Sequence, residues 1–234
     1  MKHFFIAVCL LQYIVITNLQ AHTIKKLGLE EGLSNSYVVD IVEDKNGYIW
    51  IATEEGLNKL EGGKFTSFYK ANKGKLINLT GNELNSLFDD PNEPILWIGT
   101  QRAGLISFNY QNNTQIIYQH NYQDPHSIIT NDITSIHPAT DGNLWITTYW
   151  RGIEYLDKKT GKFTHYNQQT IPELPSNTVW TAIDDNKGNL YIGHSNHGMS
   201  ILSTKNKKVK NFTYDKSNNN SLPSNNIQCI FKDN

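Results

Sequence analysis

The residues of this sequence that could bind a small molecule stand in short polar segments, each of which follows an apolar, strand-like run. The segment Tyr149-Trp150-Arg151 has the most suggestive chemistry. Aromatic rings stack on the apolar C–H faces of sugars, and a guanidinium presents a planar fork of donors to hydroxyls or carboxylates. The alternative is that one ring packs on a neighbouring loop and the arginine is merely solvated. The predicted ligand contacts are Tyr149, Trp150, Arg151, Arg102, Glu54, Glu55 and His197.

Patterns for catalysis or metal binding are weak. Serine, histidine and carboxylate residues are scattered, without a nucleophile elbow or a paired-carboxylate arrangement, so no catalytic residue is predicted. His197 follows His194 by three positions, which suits a helix face, but the two histidines straddle a strand end and a loop. We therefore predict neither a metal site nor a cofactor.

The elements that must position these segments are four copies of one pattern. A strand of the type Leu-Trp-Ile-Gly-Thr recurs at steps of 47, 48 and 46 residues, and a Gly-apolar pair follows each copy. The aromatic anchors are Trp50, Trp97, Trp145 and Tyr191, and the glycines are Gly56, Gly104, Gly152 and Gly198. Such a period is typical of a repeat architecture. Because these residues recur, we predict that the anchors pack between repeats and that the glycines meet a backbone requirement.

Each repeat contains four short strands rich in aromatic and β-branched residues, separated by turns such as Asp44-Lys45-Asn46-Gly47. No segment shows a sustained apolar period of the helical type, so an all-β chain is predicted. Four-stranded antiparallel sheets repeated around an axis form a β-propeller. The predicted blades cover about residues 35–70, 81–119, 130–166 and 176–214.

The two ends of the chain predict export and an incomplete ring. Residues 1–21 have the basic start, apolar run and small-residue end of a signal peptide, so a periplasmic protein is expected. Residues 22–34 supply a lead-in and an outer strand that would close the ring ahead of a partial propeller over 35–234. Residues 222–234 open a fifth repeat but end before its aromatic anchor. We therefore expect a fragment of a longer protein.

The composition excludes some classes of partner. A net charge of −1 gives no electrostatic reason to expect nucleic acid or an anionic membrane surface. Of the two cysteines, Cys9 lies in the predicted signal peptide, which leaves Cys229 alone. The sequence therefore predicts no disulfide framework in the mature chain.

The repeat resembles the two-component regulator propeller repeat, most closely at Leu96-Trp97-Ile98-Gly99-Thr100 and at Leu190-Tyr191-Ile192-Gly193. The resemblance covers residues 33–234. It implies the N-terminal periplasmic sensor region of a Bacteroidetes hybrid histidine kinase, in which two seven-bladed propellers precede a β-sandwich, a membrane helix and the kinase. The implied ligands are oligosaccharides. The kinase and its ATP site are not in this chain, so the chain itself is not expected to be an enzyme.

Three hypotheses follow for the function. The first is a ligand sensor that signals by shifting the arrangement of two protomers, and so acts on a kinase in the remainder of the same polypeptide. The second is an exported propeller enzyme similar to the streptogramin lyases, with His126 and His137 as candidate acid/base residues. The third is a protein-interaction scaffold without a small ligand.

Overall fold

The computed structural model describes residues 24–70 and 77–233, which form sixteen strands and one 3-10 helix, Leu29–Glu31. The first two sheets consist of β1 (Val38–Glu43), β2 (Ile49–Thr53), β3 (Gly56–Glu61), β4 (Lys64–Phe68), β5 (Leu84–Asp89), β6 (Ile95–Thr100), β7 (Leu105–Asn109) and β8 (Thr114–Tyr118). The next two consist of β9 (Ile133–Pro138), β10 (Leu144–Thr148), β11 (Gly152–Asp157), β12 (Lys162–Tyr166), β13 (Val179–Asp184), β14 (Asn189–His194), β15 (Met199–Ser203) and β16 (Val209–Phe212).

Each sheet is a four-stranded antiparallel meander in chain order. The first strands of successive sheets, β1, β5, β9 and β13, contact one another, so they form the inner wall of the assembly. This arrangement confirms the predicted all-β propeller with four blades, and the ring that these blades begin is not closed.

The core lies between the blades. Trp50 of the first blade packs at its ring edge on Phe108 of the second, with centroids 6.2 Å apart. Trp97 belongs to a cluster shared by the second and third blades, and Trp145 to one shared by the third and fourth. Tyr191 is only half-buried, because it lies on the far side of the fourth blade. Each tryptophan thus holds its blade against the next, which contributes a few kcal/mol by area burial.

A buried aspartate accepts a hydrogen bond from the indole N–H of each of the three tryptophan anchors. The pairs are Trp50 with Asp44 at 2.7 Å, Trp97 with Asp90 at 3.3 Å, and Trp145 with Asp184 at 3.2 Å. The third pair crosses between blades, because Ala139 follows β9 at the position where an aspartate follows β1 and β5. One function, satisfying a buried indole N–H, is therefore met by two different routes.

The repeated glycines join neighbouring blades. All four have positive φ angles, between 73° and 110°, and a Cβ at any of them would collide with a carbonyl oxygen at the end of the fourth strand. Each glycine N–H donates to an asparagine carbonyl in the lead-in to the next blade: Gly56 to Asn82, Gly104 to Asn131, Gly152 to Asn177 and Gly198 to Asn225. Because of the positive φ angle and the nearby carbonyl of the fourth strand of the same blade, each of these positions requires a residue without a side chain.

The two ends of the described chain have no regular strand. Residues 24–27 pair with no described strand, and the predicted ring-closing strand stays a prediction. Residues 222–233 likewise lack a strand, but Ile227 N–H donates to the His194 carbonyl at 3.1 Å. The lead-in to a fifth repeat therefore docks on the fourth blade as the earlier lead-ins do. The predicted signal peptide, residues 1–21, lies outside the described residues, among which no helix has the length and hydropathy of a membrane span.

Candidate functional site

The predicted contact residues share one end of the propeller. The second strand of each blade ends beside the start of the first, as Val38 opposite Thr53 and Ile133 opposite Thr148 show. The segment after each second strand therefore lies next to the lead-in that precedes each first strand. We call this end of the molecule the upper face.

Three neighbouring cavities lie across the upper face, from the first blade to the fourth, and we call them together the upper cleft. Its middle is a cavity of about 410 Å³ whose walls include Asn85, Asp132, Tyr149 and Trp180. A cavity of about 650 Å³ adjoins it over the first two blades and shares Asn85 as a wall. A third cavity, of about 520 Å³, adjoins it over the second and third blades and shares Asp132. The shared wall residues place the three cavities next to one another along the upper face.

Three aromatic side chains form a row along the upper cleft. The rings of Tyr149 and Trp180 have centroids 5.4 Å apart and planes 36° apart, and Trp150 meets Tyr149 edge-on at 4.9 Å. Trp150 is 64% exposed. An exposed tryptophan beside two partly exposed rings offers apolar faces that the interior of the fold does not use.

The inner strands hold the walls of the cleft in place. Asn85, Thr134 and Trp180 occupy the same position in successive first strands. The Asn85 side-chain amide donates to the Ile133 carbonyl at 2.7 Å, and the Thr134 hydroxyl donates to the Val179 carbonyl at 2.8 Å. Because each bond runs from one blade to the next, the groove is bounded by a connected and rigid set of polar groups.

The backbone of the upper segments carries strain in two blades. Arg102, Trp150 and Asn196 stand two residues after the end of their second strands, and their φ angles are 64°, 73° and 61°. Asparagine adopts this left-handed region readily, whereas arginine and tryptophan do so at a cost. Such a cost is retained where the residue serves something other than the fold.

The charges of the cleft are separated along its length. Glu54, Glu55 and Glu83 border the cavity over the first two blades, whereas Arg102 and Arg151 border the cavity over the second and third. Arg102 lies 3.5 Å from Glu83 with both side chains largely exposed, so this ion pair is weak. Asp132 lines both the basic end and the middle of the cleft; burial raises its pKa, although the Arg102 charge acts in the opposite direction. The groove therefore has an acidic end and a basic end.

The structure brings most of the predicted contact residues together. Tyr149 lines the middle of the cleft, Glu54 and Glu55 its acidic end, and Arg102 and Arg151 its basic end; Trp150 stands at its edge. His197 does not line these cavities, and its ring Nδ1 is bound to the Ser195 carbonyl at 2.9 Å.

Sequence reasoning missed the residues that the first strands and lead-ins supply. These are Asn85, His120, Tyr122, Asp132, Thr134 and Trp180. A signal for three of them was present, because Asn85, Thr134 and Trp180 stand at one strand position yet differ in every blade. Variation at a fixed repeat position marks a surface that the shared packing does not constrain.

The histidines considered for catalysis or metal binding lie elsewhere. His137 is half-buried, and the loss of solvent around its ring lowers its pKa to about 4; its Nε2 lies 3.2 Å from the Thr181 hydroxyl. His126 lies in an exposed lead-in. His194 is fully buried, and its Nε2 meets the Ser200 hydroxyl at 2.8 Å. None of these three histidines lines the three cavities of the upper cleft.

The fold and the cleft define a class: an open β-propeller segment whose upper face carries a ligand-sized groove. The family model for the two component regulator propeller matches residues 32–55 and 127–150. These two segments are two-component regulator propeller repeats, as the resemblance predicted.

Solved structures of extracellular domains are similar to this chain. The extracellular domain of a hybrid two component system from B. thetaiotaomicron is 50% identical, with a TM-score of 0.82 over 89% of this chain and 28% of that one. The extracellular domain of a one component system from the same organism is 21% identical, with a TM-score of 0.64 over 75% of this chain and 25% of that one, and so supports the fold alone.

A curated relative adds a shorter match. Histidine kinase P4 of Formosa agariphila is 51% identical over 35 residues, which are 15% of this chain and 3% of that protein. The chain thus spans about a quarter of the solved hybrid-system domain and a small part of the curated kinase.

Proposed function

We propose that this chain is a ligand-sensing segment of the periplasmic region of a hybrid two-component sensor, and that its upper cleft binds an oligosaccharide. The two regulator propeller repeats and the similarity to an extracellular hybrid-system domain support the sensor role. The observation that carries the ligand proposal is the aromatic row set in a polar groove.

The chemistry of the groove suits a sugar better than an apolar ligand. Tyr149 and Trp180 present two ring faces, on which the C–H faces of a pyranose can stack. Asn85, Gln101 and Asp132 add amide and carboxylate groups to the walls, which can exchange hydrogen bonds with hydroxyls. A saccharide needs both kinds of contact at once, because each ring has apolar faces and a polar rim.

The signal would pass to a kinase in the remainder of the same polypeptide. An oligosaccharide that lies across several blades can bias the arrangement of two sensor protomers only if it binds one arrangement more tightly. A groove built from separate blades meets this condition, because a long ligand contacts all of them together. The chain would then act as a binding module and not as an enzyme.

The proposal is tested by titrating the full chain with a panel of neutral and acidic oligosaccharides, using calorimetry and thermal shift. Tyr149→Ala should weaken binding of any positive ligand by about fivefold or more, since stacking on an aromatic face is worth about 1 kcal/mol. The matched control is Tyr214→Ala, which removes an exposed tyrosine beyond the last strand of the fourth blade. Absence of binding across the panel, or equal loss in both variants, would contradict the proposal.

A further inference from the structure

Arginine is nearly absent from this chain, and its two occurrences share one place. Of the 21 basic residues, 19 are lysines and only Arg102 and Arg151 are arginines. Both stand on the upper face, in the segments after the second strands of adjacent blades, and both line the same cavity of about 520 Å³. All the other basic residues of the chain are lysines.

The two side chains differ in a way that explains this placement. Lysine carries a compact charge, whereas the guanidinium is planar and offers paired N–H donors that match a carboxylate or a sulfate. Arg151 is exposed and makes no ion pair among the described residues. Arg102 is 72% exposed, and the one ion pair that it makes among the described residues is the weak one with Glu83 at 3.5 Å. The donor forks of both arginines are therefore available to a ligand.

The rest of this cavity is built around the lead-in to the third blade. The Nδ1 of His120 lies 2.8 Å from the Ile128 carbonyl, which fixes its ring. That ring packs at an angle of 76° on Tyr122, which is 95% exposed, with centroids 4.5 Å apart. The lining of this cavity therefore combines an oriented imidazole, an exposed phenol ring and two guanidinium groups with one carboxylate, that of Asp132.

The opposite end of the cleft makes the arrangement directional. Glu54 and Glu55 lie there without any ion pair among the described residues. An anionic group is repelled from that end and attracted to the arginine end. At moderate salt, exposed charges interact over distances of up to about 10 Å. A ligand with one charged terminus is therefore held in a single orientation.

We propose that the upper cleft is selective for an anionic saccharide, whose carboxylate or sulfate group binds between Arg102 and Arg151. The neutral part of the ligand then extends over Tyr149 and Trp180 toward the glutamates. This inference rests on the proposed function, since it names the class of oligosaccharide that the sensor binds.

The test compares matched charged and neutral ligands on the full chain by calorimetry. One pair is oligogalacturonates with their methyl esters, and the other is sulfated galactan oligosaccharides with their desulfated forms; the two pairs distinguish carboxylate from sulfate. In at least one pair the charged member should bind about tenfold or more tightly, as expected for charge-assisted hydrogen bonds. This preference should shrink as NaCl is raised, because salt screens the exposed guanidinium groups.

Substitutions then locate the preference. Arg102→Gln and Arg151→Gln should each lower the affinity for the charged member by more than the affinity for the neutral member, so that most of the ratio between the two affinities is lost. Arg151→Lys keeps the charge but not the fork, and should restore only part of it. Lys159→Gln removes the same charge from an exposed turn at the opposite end of the third blade, and should leave the preference intact. Circular dichroism verifies that each variant is folded.

The outcomes separate this inference from the proposed function. Equal affinity for charged and neutral members, a preference that survives both glutamine variants, or an equal loss in Lys159→Gln would overturn the inference and leave the sensor proposal standing. Binding of no saccharide of either kind would overturn both.

Discussion

The joints between blades and the upper cleft are built from the same repeat but follow opposite rules. At the joints, one residue type serves every blade, as Gly56, Gly104, Gly152 and Gly198 do in accepting the same backbone conformation. In the cleft, one position carries a different residue in each blade, as Asn85, Thr134 and Trp180 do. The joints are uniform because packing acts on all blades alike, and the cleft varies because a ligand is not itself a repeat.

Inside the blades, too, one repeat position carries different residues in different blades. The paired positions on the third and fourth strands hold Asn58 with Ser67, Ile106 with Ile117, Glu154 with His165 and Ser200 with Asn211. One position of the repeat therefore accepts an amide with a hydroxyl, an apolar pair or an acid with an imidazole. In the third blade the His165 Nδ1 lies 2.7 Å from the fully buried Glu154 carboxylate. Burial raises the pKa of Glu154 to about 7, and the carboxylate in turn raises the pKa of His165.

The strongest way to break the uniform side of the comparison is Gly152→Ala. The methyl group would collide with the Tyr166 carbonyl, and the φ angle of 93° is unfavourable for alanine. We expect a loss of about 3 kcal/mol or more in the free energy of unfolding, measured by urea denaturation. Gly161→Ala is the control, because that glycine has a similar φ but its nearest neighbour would lie 3.6 Å away. Equal losses in both variants would show that the positive φ angle, and not the contact with the Tyr166 carbonyl, accounts for the loss of stability.

A framework position that departs from the repeat gives the next largest effect, and it depends on pH. His194 occupies the place of Thr53, Thr100 and Thr148, and burial lowers its pKa to about 4. The folded state then binds the proton less tightly than the unfolded state, so stability is full above about pH 6.5 and falls as the pH drops toward 4. This effect amounts to at most about 3 kcal/mol.

His194→Thr should therefore reduce the acid-induced loss of stability between pH 7.5 and 4.5, although His137 still contributes a loss of the same sign. Urea denaturation at the two pH values measures the difference. His126→Thr, at an exposed lead-in, is the control. The interpretation is wrong if His194→Thr and the unaltered chain lose the same stability on acidification.

The indole–aspartate pairs predict a smaller loss. Trp50→Phe keeps most of the packing but leaves the Asp44 carboxylate oxygen without its 2.7 Å donor. We expect a loss of about 2 kcal/mol in unfolding free energy, from the smaller ring and the unpaired buried acceptor. The double variant Trp50→Phe, Asp44→Asn tests the coupling, and additive losses from the two single changes would argue against a stabilising bond.

The smallest predicted effect has the opposite sign and concerns the variable side of the comparison. Trp150→Asn introduces the residue type that the fourth blade carries at the same strained position, Asn196. The unfolding free energy should rise by about 1 kcal/mol as the strain is relieved, while oligosaccharide affinity falls. Calorimetry and denaturation on one preparation measure both. A variant that loses stability would show that Trp150 serves the fold and not a ligand.

The sequence predicted the fold well because its signal is local and repeated. Trp50, Trp97 and Trp145 recur about every 48 residues, and each lies between a turn and a recurring position for glycine within its repeat unit. The number and type of blades can therefore be predicted along the chain. The upper segments were also predictable, since the residues after each second strand differ among the copies. Tyr149 and Arg151 were proposed as ligand contacts on this ground, and the structure places both in the walls of the cleft.

What the sequence alone determined is thus the repeat, the four-stranded blade and the face on which the variable residues lie. Only the tertiary structure decided which of those residues meet. Asp132 and Trp180, or Arg102 and Arg151, are neighbours only because the blades pack side by side around an axis, and residues about fifty positions apart then share one cavity. The Trp145 bond to Asp184 arises in the same way, from contact between blades that no local pattern encodes. The physical reason is that periodicity reports the conformation of each unit, whereas a site depends on the distances between units.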